Sequence, residues 1–252
     1  MLSKRHGNIL LIGLGGLGSA AAMALSGQGL ARLRVADADT VALSNLPRQS
    51  LYSLGELGHL KVEAGSRFLT GLDPGLVIEP LPARLETVEA IADAARGMDL
   101  IIDATDNFPT RFAANDAALA TGIPLVHGAA TAWRGQLMTI LPGETACLRC
   151  LFGSPPETAG GTCLDQGILA PLAAEIGWRM ALEAASLVAG REASCQNRLL
   201  TVEIQSGRRR WIPLRRREQC PLCSPRPSPP GPPPLPVAPL PHPPEKTPGP
   251  TP

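Results

Sequence analysis

Near its start the chain reads Ile9-Leu10-Leu11-Ile12-Gly13-Leu14-Gly15-Gly16-Leu17-Gly18, four apolar residues followed at once by a glycine-rich loop. The short apolar run is typical of a buried strand, and the residues from Ser19 to Leu25 have helical character. Glycines let the backbone approach a ligand closely, and the N-terminus of a helix attracts phosphate. Gly13, Gly15 and Gly18 also have the spacing of the dinucleotide fingerprint. This order of elements predicts a nucleotide site on an α/β sheet.

An acidic residue follows the second predicted strand. Asp37 comes after Leu33-Arg34-Val35, about twenty residues beyond the glycine loop. In dinucleotide-binding folds an acid at this place usually holds the ribose hydroxyls. Taken alone, the loop and Asp37 indicate a nucleotide or a dinucleotide, for which an NAD-dependent oxidoreductase is the default interpretation.

The segment after Asp37 favours a triphosphate instead. It contains Ser44-Asn45-Leu46-Pro47-Arg48-Gln49, and Lys61 follows further along. Asn45 can donate to phosphate oxygens, Arg48 offers a planar fork of donors, and Lys61 supplies a mobile positive charge. A dehydrogenase has no evident use for this cluster, whereas a triphosphate needs such neutralisation.

A second set of polar residues follows the apolar strand Leu100-Ile101-Ile102. It reads Asp103-Ala104-Thr105-Asp106-Asn107. Ligands of open α/β sheets bind at the carboxyl ends of the parallel strands, where these carboxylates are expected. Asp106 can hold Mg²⁺ against phosphates, because Mg²⁺ takes one or two carboxylates together with phosphate oxygens.

Each of these residues also has a simpler interpretation. Asp37 and Asp39 can end a strand, Arg48 can be a surface charge, and Asp106-Asn107 can cap a helix. The combination of all of them in one chain favours the nucleotide site.

Together these motifs resemble the ThiF/MoeB/HesA family, the bacterial relatives of ubiquitin-activating enzymes. The resemblance runs from about Gly7 to Cys223, with several motifs in the expected order. It implies an α/β fold with a Rossmann-like, mostly parallel open sheet and additional antiparallel strands. It also implies ATP-dependent adenylation of the C-terminal glycine of a small ubiquitin-like sulfur-carrier protein, with Mg²⁺ present and pyrophosphate released, in molybdopterin or thiamine biosynthesis.

The resemblance also assigns roles to individual residues. The glycine loop contacts the nucleotide, an acid binds the ribose, and polar or basic side chains bind the phosphates. By this resemblance the nucleotide-binding residues are Gly13, Gly15, Gly16, Asp37, Ser44, Asn45, Arg48, Lys61, Asp106 and Asn107, with Asp106 as the Mg²⁺ ligand and Arg48, Lys61 and Asp106 as catalytic groups.

Four cysteines predict a structural zinc site independently of the nucleotide motifs. Cys147-Leu148-Arg149-Cys150 and Cys220-Pro221-Leu222-Cys223 are two CxxC pairs about seventy residues apart, and four thiolates in two such pairs suit tetrahedral Zn²⁺. One CxxC alone can be a redox motif. Disulfides are disfavoured because the chain lacks a signal peptide and is expected to be cytoplasmic.

Two cysteines remain. Cys163 lies in a glycine-rich stretch ahead of the predicted helix from Ala170 to Val188. In similar proteins a cysteine in this loop is proposed to relay the activated carrier through thioester or persulfide chemistry, so Cys163 is a candidate catalytic residue; the alternative is a loop thiol without an essential role. Cys195 is expected to be a small buried residue or a bystander.

The composition fits one moderately sized enzyme. The chain has 252 residues, of which 44% are hydrophobic and 3% aromatic, and a net charge of +1. Nucleic-acid binding is disfavoured by the balanced charge and scarce aromatics, and no apolar run is long enough to cross a membrane. A basic block, Arg208-Arg209-Arg210-Trp211 with Arg215-Arg216-Arg217, is either a docking surface for an acidic carrier or a solvated sheet edge.

The domain organisation follows from the composition. Residues 1–223 are predicted to form the adenylyltransferase domain, and residues 224–252 a proline-rich, disordered tail. Further strands are expected near Gln136 to Leu141 and Leu199 to Ile204. His127, after Pro124-Leu125-Val126, is expected to line the cleft or simply to end a strand.

Family members begin with an arm whose arginine crosses a homodimer interface to the neighbouring ATP. Here the chain starts only a few residues before Ile9, and Lys4 or Arg5 are partial substitutes at best. The expectation is therefore that the arm is missing, with either altered dimer-dependent catalysis or a reading frame that starts too late.

Four functional hypotheses result. The first is the adenylyltransferase for a carrier ending in Gly-Gly. The others are a nicotinamide-dependent oxidoreductase, a catalytically impaired nucleotide-binding adaptor, and an enzyme that adenylates a tRNA-linked carboxylate.

Overall fold

The computed structural model describes residues 5–154 and 167–224. Within them, the strands are β1 (Asn8–Ile12), β2 (Arg32–Ala36), β3 (Val77–Leu81), β4 (Leu100–Asp103), β5 (Leu125–Thr131), β6 (Arg134–Ile140), β7 (Arg198–Glu203) and β8 (Arg208–Pro213). The helices in the same ranges are α1 (Gly16–Leu25), α2 (Lys61–Leu72), α3 (Val88–Ala94), α4 (Phe108–Thr121), α5 (Leu148–Phe152) and α6 (Ala170–Val188). Cys163, Lys4 and the tail from Pro225 onward lie outside the described residues.

All eight strands belong to one sheet with the order β3-β2-β1-β4-β5-β6-β7-β8. The first five in this order are parallel, and β6, β7 and β8 continue the sheet as antiparallel strands. The predicted α/β class, a mostly parallel Rossmann-like sheet with additional antiparallel strands, is thereby confirmed. The chain leaves β1 towards β2 and later returns to β4 on the other side, which places a switch point of the topology at the carboxyl ends of β1 and β4.

Helices cover both faces of the parallel part of the sheet. Alternate side chains of a strand point to opposite faces. Ile9 and Leu11 pack in the core beneath α1, α2 and α6. Leu10 and Ile12 pack in a second core with α3, α4 and the four zinc-motif cysteines. This two-sided burial explains why β1 reads as an uninterrupted apolar run.

Helices α1 and α6 cross at very short range. A Cβ atom at Gly177 would lie 2.4 Å from the carbonyl oxygen of Leu17 and 2.7 Å from Ala20 Cβ. Only glycine permits this approach, because the contact is with backbone that cannot move aside. The crossing fixes α6 directly behind the helix that begins at the glycine loop.

A buried carboxylate attaches the segment after α6 to the sheet. Glu183 accepts hydrogen bonds from Thr139 Oγ1 at 2.7 Å and from the backbone nitrogens of Ser194 and Cys195 at 2.9 Å. Cys195 is buried, as predicted. Burial and the adjacent Glu183 carboxylate raise the pKa of the Cys195 thiol to about 12, so it stays protonated at neutral pH.

None of the helices in residues 5–154 and 167–224 has both the length and the apolar character needed to cross a bilayer.

Candidate active site and metal centre

The glycine loop makes a tight turn between β1 and α1. Gly13 has φ of 89°, the left-handed region that favours glycine, and its amide donates to Ala36 O at 2.8 Å. A Cβ atom at Gly18 would lie 1.9 Å from the carbonyl oxygen of Gly13. The loop therefore leaves no room for side chains at these two positions, and its backbone passes directly into the N-terminus of α1.

Asp37 joins the end of β2 to this loop. Its Oδ2 accepts from the amide of Leu14 at 2.7 Å, and its Oδ1 accepts from the amide of Asp39 at 2.8 Å. The carboxylate is half-buried. These two bonds orient Asp37 at the carboxyl end of β2, beside the loop. The sequence predicts that the acid at this place binds the ribose.

Arg48 lies against the start of α1, after a short 3-10 turn from Leu43 to Asn45. Its Nη1 donates to Ser44 O at 2.9 Å, and its Nη2 donates to Asn45 Oδ1 at 3.2 Å. A Cβ atom at Gly16 would be 3.7 Å from Arg48 Cγ. Ser44, Asn45 and Arg48 thus form one linked group next to the glycine loop. Arg48 also lines a groove of about 350 Å³ together with Trp133 and residues 167–170.

Lys61 is the first residue of α2 and is buried, with 4% of its surface exposed. Its Nζ lies 2.8 Å from Asp39 Oδ2, and its backbone amide donates to Asp39 O at 2.9 Å. Arg84 pairs with the other oxygen of Asp39 at 3.2 Å. A buried ammonium needs such a partner to stay charged. Asp39 is therefore the residue that holds Lys61 in place.

The two carboxylates after β4 have different surroundings. Asp103 is fully buried and contacts His127, whereas Asp106 is exposed at the edge of the sheet. Asn107 caps α4, since its Oδ1 accepts from the amide of Thr110 at 2.9 Å. The helix-cap interpretation is thus correct for Asn107, and of the two aspartates only Asp106 lies on the surface.

The expectation that His127 ends a strand is wrong. This histidine lies inside β5 with 1% of its surface exposed, and its Nδ1 is 2.7 Å from Asp103 Oδ2. The reason is the pairing of β4 with β5, which sets Asp103 opposite His127 and gives the ring a buried polar partner.

The four cysteines of the two CxxC pairs come together. Their sulfur atoms all lie within 4.8 Å of one another, and all four residues are buried. Neighbouring sulfurs are 3.9 Å apart for Cys147 and Cys150, 3.7 Å for Cys147 and Cys220, and 3.3 Å for Cys150 and Cys223. Tetrahedral zinc with Zn–S bonds of about 2.3 Å sets sulfurs roughly 3.8 Å apart. The cluster fits a zinc site.

The four thiols have different surroundings, and burial raises the pKa of Cys147 and raises that of Cys223 to about 11. Burial disfavours the charged form of Cys220, but backbone hydrogen bonds from Cys223 and Leu222 lower its pKa to about 7. The amide of Arg217 lies 3.4 Å from Cys150 Sγ. On the other side, Arg149 of α5 makes two hydrogen bonds with Asp116 of α4, at 3.0 and 2.5 Å. The cluster is thereby attached to the helix that begins beside Asp106.

The sequence profile described as the ThiF family matches residues 2–222. The chain belongs to the ThiF family. It is 38% identical over 216 residues to the sulfur carrier protein ThiS adenylyltransferase of Escherichia coli, covering 85% of each chain. It is 37% identical over 221 residues to the molybdopterin-synthase adenylyltransferase of E. coli, covering 87% of this chain and 88% of the relative.

A solved structure shares the fold of this chain. The crystal structure of E. coli MccB with MccA-N7isoASN superposes with a TM-score of 0.78 at 16% identity, covering 86% of this chain and 67% of that chain. The resemblance to the ThiF/MoeB/HesA family inferred from the motifs is confirmed.

In this ThiF-family chain the predicted nucleotide residues converge at the carboxyl ends of the parallel strands. The glycine loop contacts three other motifs directly: Leu14 bonds Asp37, Gly16 lies against Arg48, and a Cβ atom at Gly13 would be 3.0 Å from Ala104 O. Lys61 reaches the same end of the sheet through Asp39. Cys163 lies outside the described residues.

The sequence prediction left out one residue that lies against the glycine loop. Gln49 is 3% exposed and lies beside Gly15, whose ideal Cβ would be 3.8 Å from Gln49 Nε2. Among the described residues, its Oε1 is the one buried side-chain polar atom without a hydrogen-bond partner. Buried polar atoms are rarely left unsatisfied, which makes Gln49 a further candidate residue of the site. Its position next to Arg48 in the motif is the signal that could have found it.

Proposed function

We propose that the chain is an ATP-dependent adenylyltransferase that activates the C-terminal glycine carboxylate of a ubiquitin-like sulfur-carrier protein. The convergence of the glycine loop, Asp37, Arg48, Lys61 and Asp106 on one sheet edge carries this proposal. The names of the relatives support it, since one is a ThiS adenylyltransferase and another a molybdopterin-synthase adenylyltransferase. Thiamine and molybdopterin biosynthesis are accordingly the proposed pathways.

In the proposed reaction a carboxylate oxygen of the terminal glycine attacks the α-phosphorus of ATP. The new bond is an acyl–phosphate P–O bond, and the bond from the α-phosphorus to the bridging oxygen breaks, so pyrophosphate leaves with the electron pair. Two anions must approach each other, and the barrier falls when fixed cations and oriented donors offset their charge.

The residues have roles that suit this reaction. Asp37 is proposed to bind the ribose, and the loop amides around Gly15 and Gly16 to contact the phosphates. Arg48 and Asn45 are already aligned with each other. Lys61 uses one of its three N–H donors for Asp39, which leaves two for phosphate oxygens. Ser44 and Asn107 are proposed to line the same site.

Asp106 is proposed to hold Mg²⁺. The fit rests on a carboxylate at the exposed sheet edge, which is the ligand that Mg²⁺ prefers beside phosphates. When bound, Mg²⁺ neutralises charge on the leaving pyrophosphate. Zn²⁺ is proposed for the four-cysteine cluster, where its role is structural.

The carrier is proposed to dock on the antiparallel part of the sheet. Arg134, Arg208 and Arg210 line an open groove of about 500 Å³ on the face of β6, β7 and β8. Arg209 points to the other face, where it pairs with Glu175 of α6 at 2.8 Å. Glu203 lines the same groove and pairs with Arg134 at 3.4 Å, so Arg208 and Arg210 are the charges that complement an acidic carrier and raise its association rate. The solvated-edge interpretation remains the alternative.

Three further expectations stay proposals. The adenylyltransferase domain is proposed to comprise residues 1–223, to work as a homodimer, and to act in the cytoplasm.

The proposed role of Cys163 in relaying the activated carrier is separable from adenylation, which requires no thiol. Cys163→Ala is therefore expected to retain ATP–pyrophosphate exchange while losing any later transfer step.

The test is ATP–pyrophosphate exchange by the zinc-loaded chain with a carrier ending in Gly-Gly. Exchange should depend on the carrier, and Asp106→Ala should lower it at least about 100-fold without changing the zinc content. Asp93→Ala is the matched control, because Asp93 is exposed on α3 and pairs only with exposed Arg96 among the described residues. Absence of exchange with every such carrier, or binding of NADH without ATP, would contradict the proposal.

A further inference from the structure

A buried polar pair lies directly beneath the turn that carries Asp106. Asp103 is the last residue of β4, and His127 lies opposite it in β5. Neither side chain is accessible to solvent beyond 1%. The 2.7 Å contact between His127 Nδ1 and Asp103 Oδ2 joins the two central strands at the edge where the candidate site lies.

The other oxygen of Asp103 holds Thr105. Asp103 Oδ1 accepts from the amide of Thr105 at 3.0 Å and from its hydroxyl at 2.6 Å. Burial disfavours the charge, but the hydrogen bonds and charge of His127, together with Arg111 and Thr105, lower the pKa of Asp103 below its ordinary value. Both Asp103 oxygens thus face hydrogen-bonding groups, and we assign His127 Nδ1 as the donor in the contact with Oδ2.

Thr105 is fixed on its other side by Arg111. Arg111 is buried in α4, and its Nε and Nη2 donate to Thr105 O at 3.2 and 3.0 Å. The guanidinium also lies over the ring of Phe108, 5.3 Å from its centroid. The residue immediately before Asp106 is therefore held by its amide, its hydroxyl and its carbonyl at once.

We propose that His127 and Asp103 are positioning residues, which hold Thr105 and so fix the Asp106 carboxylate in the orientation that binds a divalent cation. This inference rests on the role proposed for Asp106. A ligand group on a turn keeps a productive geometry only when the residues behind it are themselves locked by hydrogen bonds and packing. Arg111 supplies the same restraint from α4.

A purely structural pair would have a different signature. Such a pair would only stabilise the pairing of β4 with β5. Its loss would leave unchanged both the local order of residues 103–108 and the Mg²⁺ concentration that exchange requires. A positioning pair predicts that these two properties change together.

The variants separate the hydrogen bonds from the packing. His127→Leu removes the donor to Asp103, and His127→Asn retains an N–H group near the position of Nδ1. Thr105→Val removes only the hydroxyl donor and preserves the shape of the side chain. Thr121→Val is the matched control, since Thr121 bonds Ala117 O at the far end of α4.

Two readouts are used on the full, zinc-loaded chain. Hydrogen–deuterium exchange of residues 103–108 should become roughly 10-fold faster in His127→Leu and Thr105→Val, and the Mg²⁺ concentration for half-maximal ATP–pyrophosphate exchange should rise by about 10- to 100-fold. His127→Asn should recover most of both losses. Thr121→Val should resemble the wild type in both.

The proposal is overturned if folded His127→Leu and Thr105→Val show wild-type hydrogen exchange in this segment and a wild-type Mg²⁺ requirement. Should His127→Leu fail to fold, Thr105→Val decides alone. Should the wild type lack adenylation activity, the proposed function fails, and the hydrogen-exchange comparison still decides whether the pair fixes the turn.

Discussion

At Gly18 one added methyl group is incompatible with the loop, because it would meet the carbonyl oxygen of Gly13 at 1.9 Å. We expect Gly18→Ala to lower the free energy of unfolding by about 1–3 kcal/mol and to weaken nucleotide binding, measured by urea unfolding and by ATP titration. Gly71→Ala is the control: it adds its methyl group to open space on α2 and should stabilise the chain by up to about 1 kcal/mol. Equal stabilities for the two variants would refute the account of the loop.

Asp73 makes the free energy of unfolding depend on pH. The hydrogen bond from Arg5 outweighs burial and, with the amides of Gly27 and Gly75, lowers the pKa of Asp73 from 3.8 to about 2. A depressed pKa stabilises the folded state above the unfolded pKa, and this contribution is lost as pH falls from about 4 to about 2. Asp73→Asn should therefore lower the urea midpoint at pH 7, with a difference from wild type that shrinks towards pH 2. A pH-independent difference would show that the charge is not responsible.

Individual residues of the candidate site were predictable only where the residue type and its place in a motif indicate a chemical role. Asp37, Arg48, Lys61 and Asp106 follow from residue type, order and family resemblance. The partners that hold them do not, because the Lys61–Asp39 and His127–Asp103 contacts depend on how separate elements pack. A histidine within a short apolar segment gives no sign of the strand that will lie opposite it.

At the scale of elements, β8 illustrates what alternation does predict. Every second side chain of a strand shares a face, and Arg208 and Arg210 line the groove while Arg209 pairs with Glu175 on the opposite face. The alternation of Arg208 and Arg210 with Arg209 can be read from the sequence once β8 is known to be a strand. The groove itself cannot, since Arg134 joins it from β6 through the pairing of β6 with β7.

Charge reversal in the groove tests carrier docking. Combining Arg208→Glu with Arg210→Glu should raise the KM for an acidic carrier at least about 10-fold at low salt, leave kcat nearly unchanged, and reduce the salt dependence of kcat/KM. The control is Arg191→Glu, which reverses an exposed charge after α6, outside the groove. If both variants behave alike, the arginines are a solvated edge.

Across the whole molecule, the cysteine cluster joins two segments that lie 73 positions apart in the chain. It connects Cys147 and Cys150 to Cys220 and Cys223, and α5 is attached to α4 by Arg149 with Asp116 and by Leu148 N donating to Asn115 Oδ1 at 2.8 Å. The four-cysteine cluster was predictable from two CxxC pairs. Its attachment to α4 was not, because it depends on side chains whose partners are more than thirty positions away.

Removal of zinc should destabilise the whole domain. Each chain should contain one zinc, and chelation should lower the free energy of unfolding by about 4 kcal/mol relative to a sample with free zinc at a thousand times its Kd. Metal analysis and thermal unfolding measure both. The paired substitution Cys220→Ser with Cys223→Ser should abolish zinc retention, whereas Cys195→Ala should retain one zinc. Unchanged stability after zinc loss would contradict a structural role.

Transfer of AMP to the carrier carboxylate changes the mass of the carrier, so intact-mass measurement of the carrier is the decisive experiment. A carrier ending in Gly-Gly is incubated with the zinc-loaded chain, Mg²⁺, ATP and inorganic pyrophosphatase. We expect a carrier heavier by one AMP, and we expect no such adduct with Asp106→Ala or when the terminal glycine is removed. An unmodified carrier in a folded sample that binds ATP, or ATP cleaved to ADP without any adduct, would contradict this expectation.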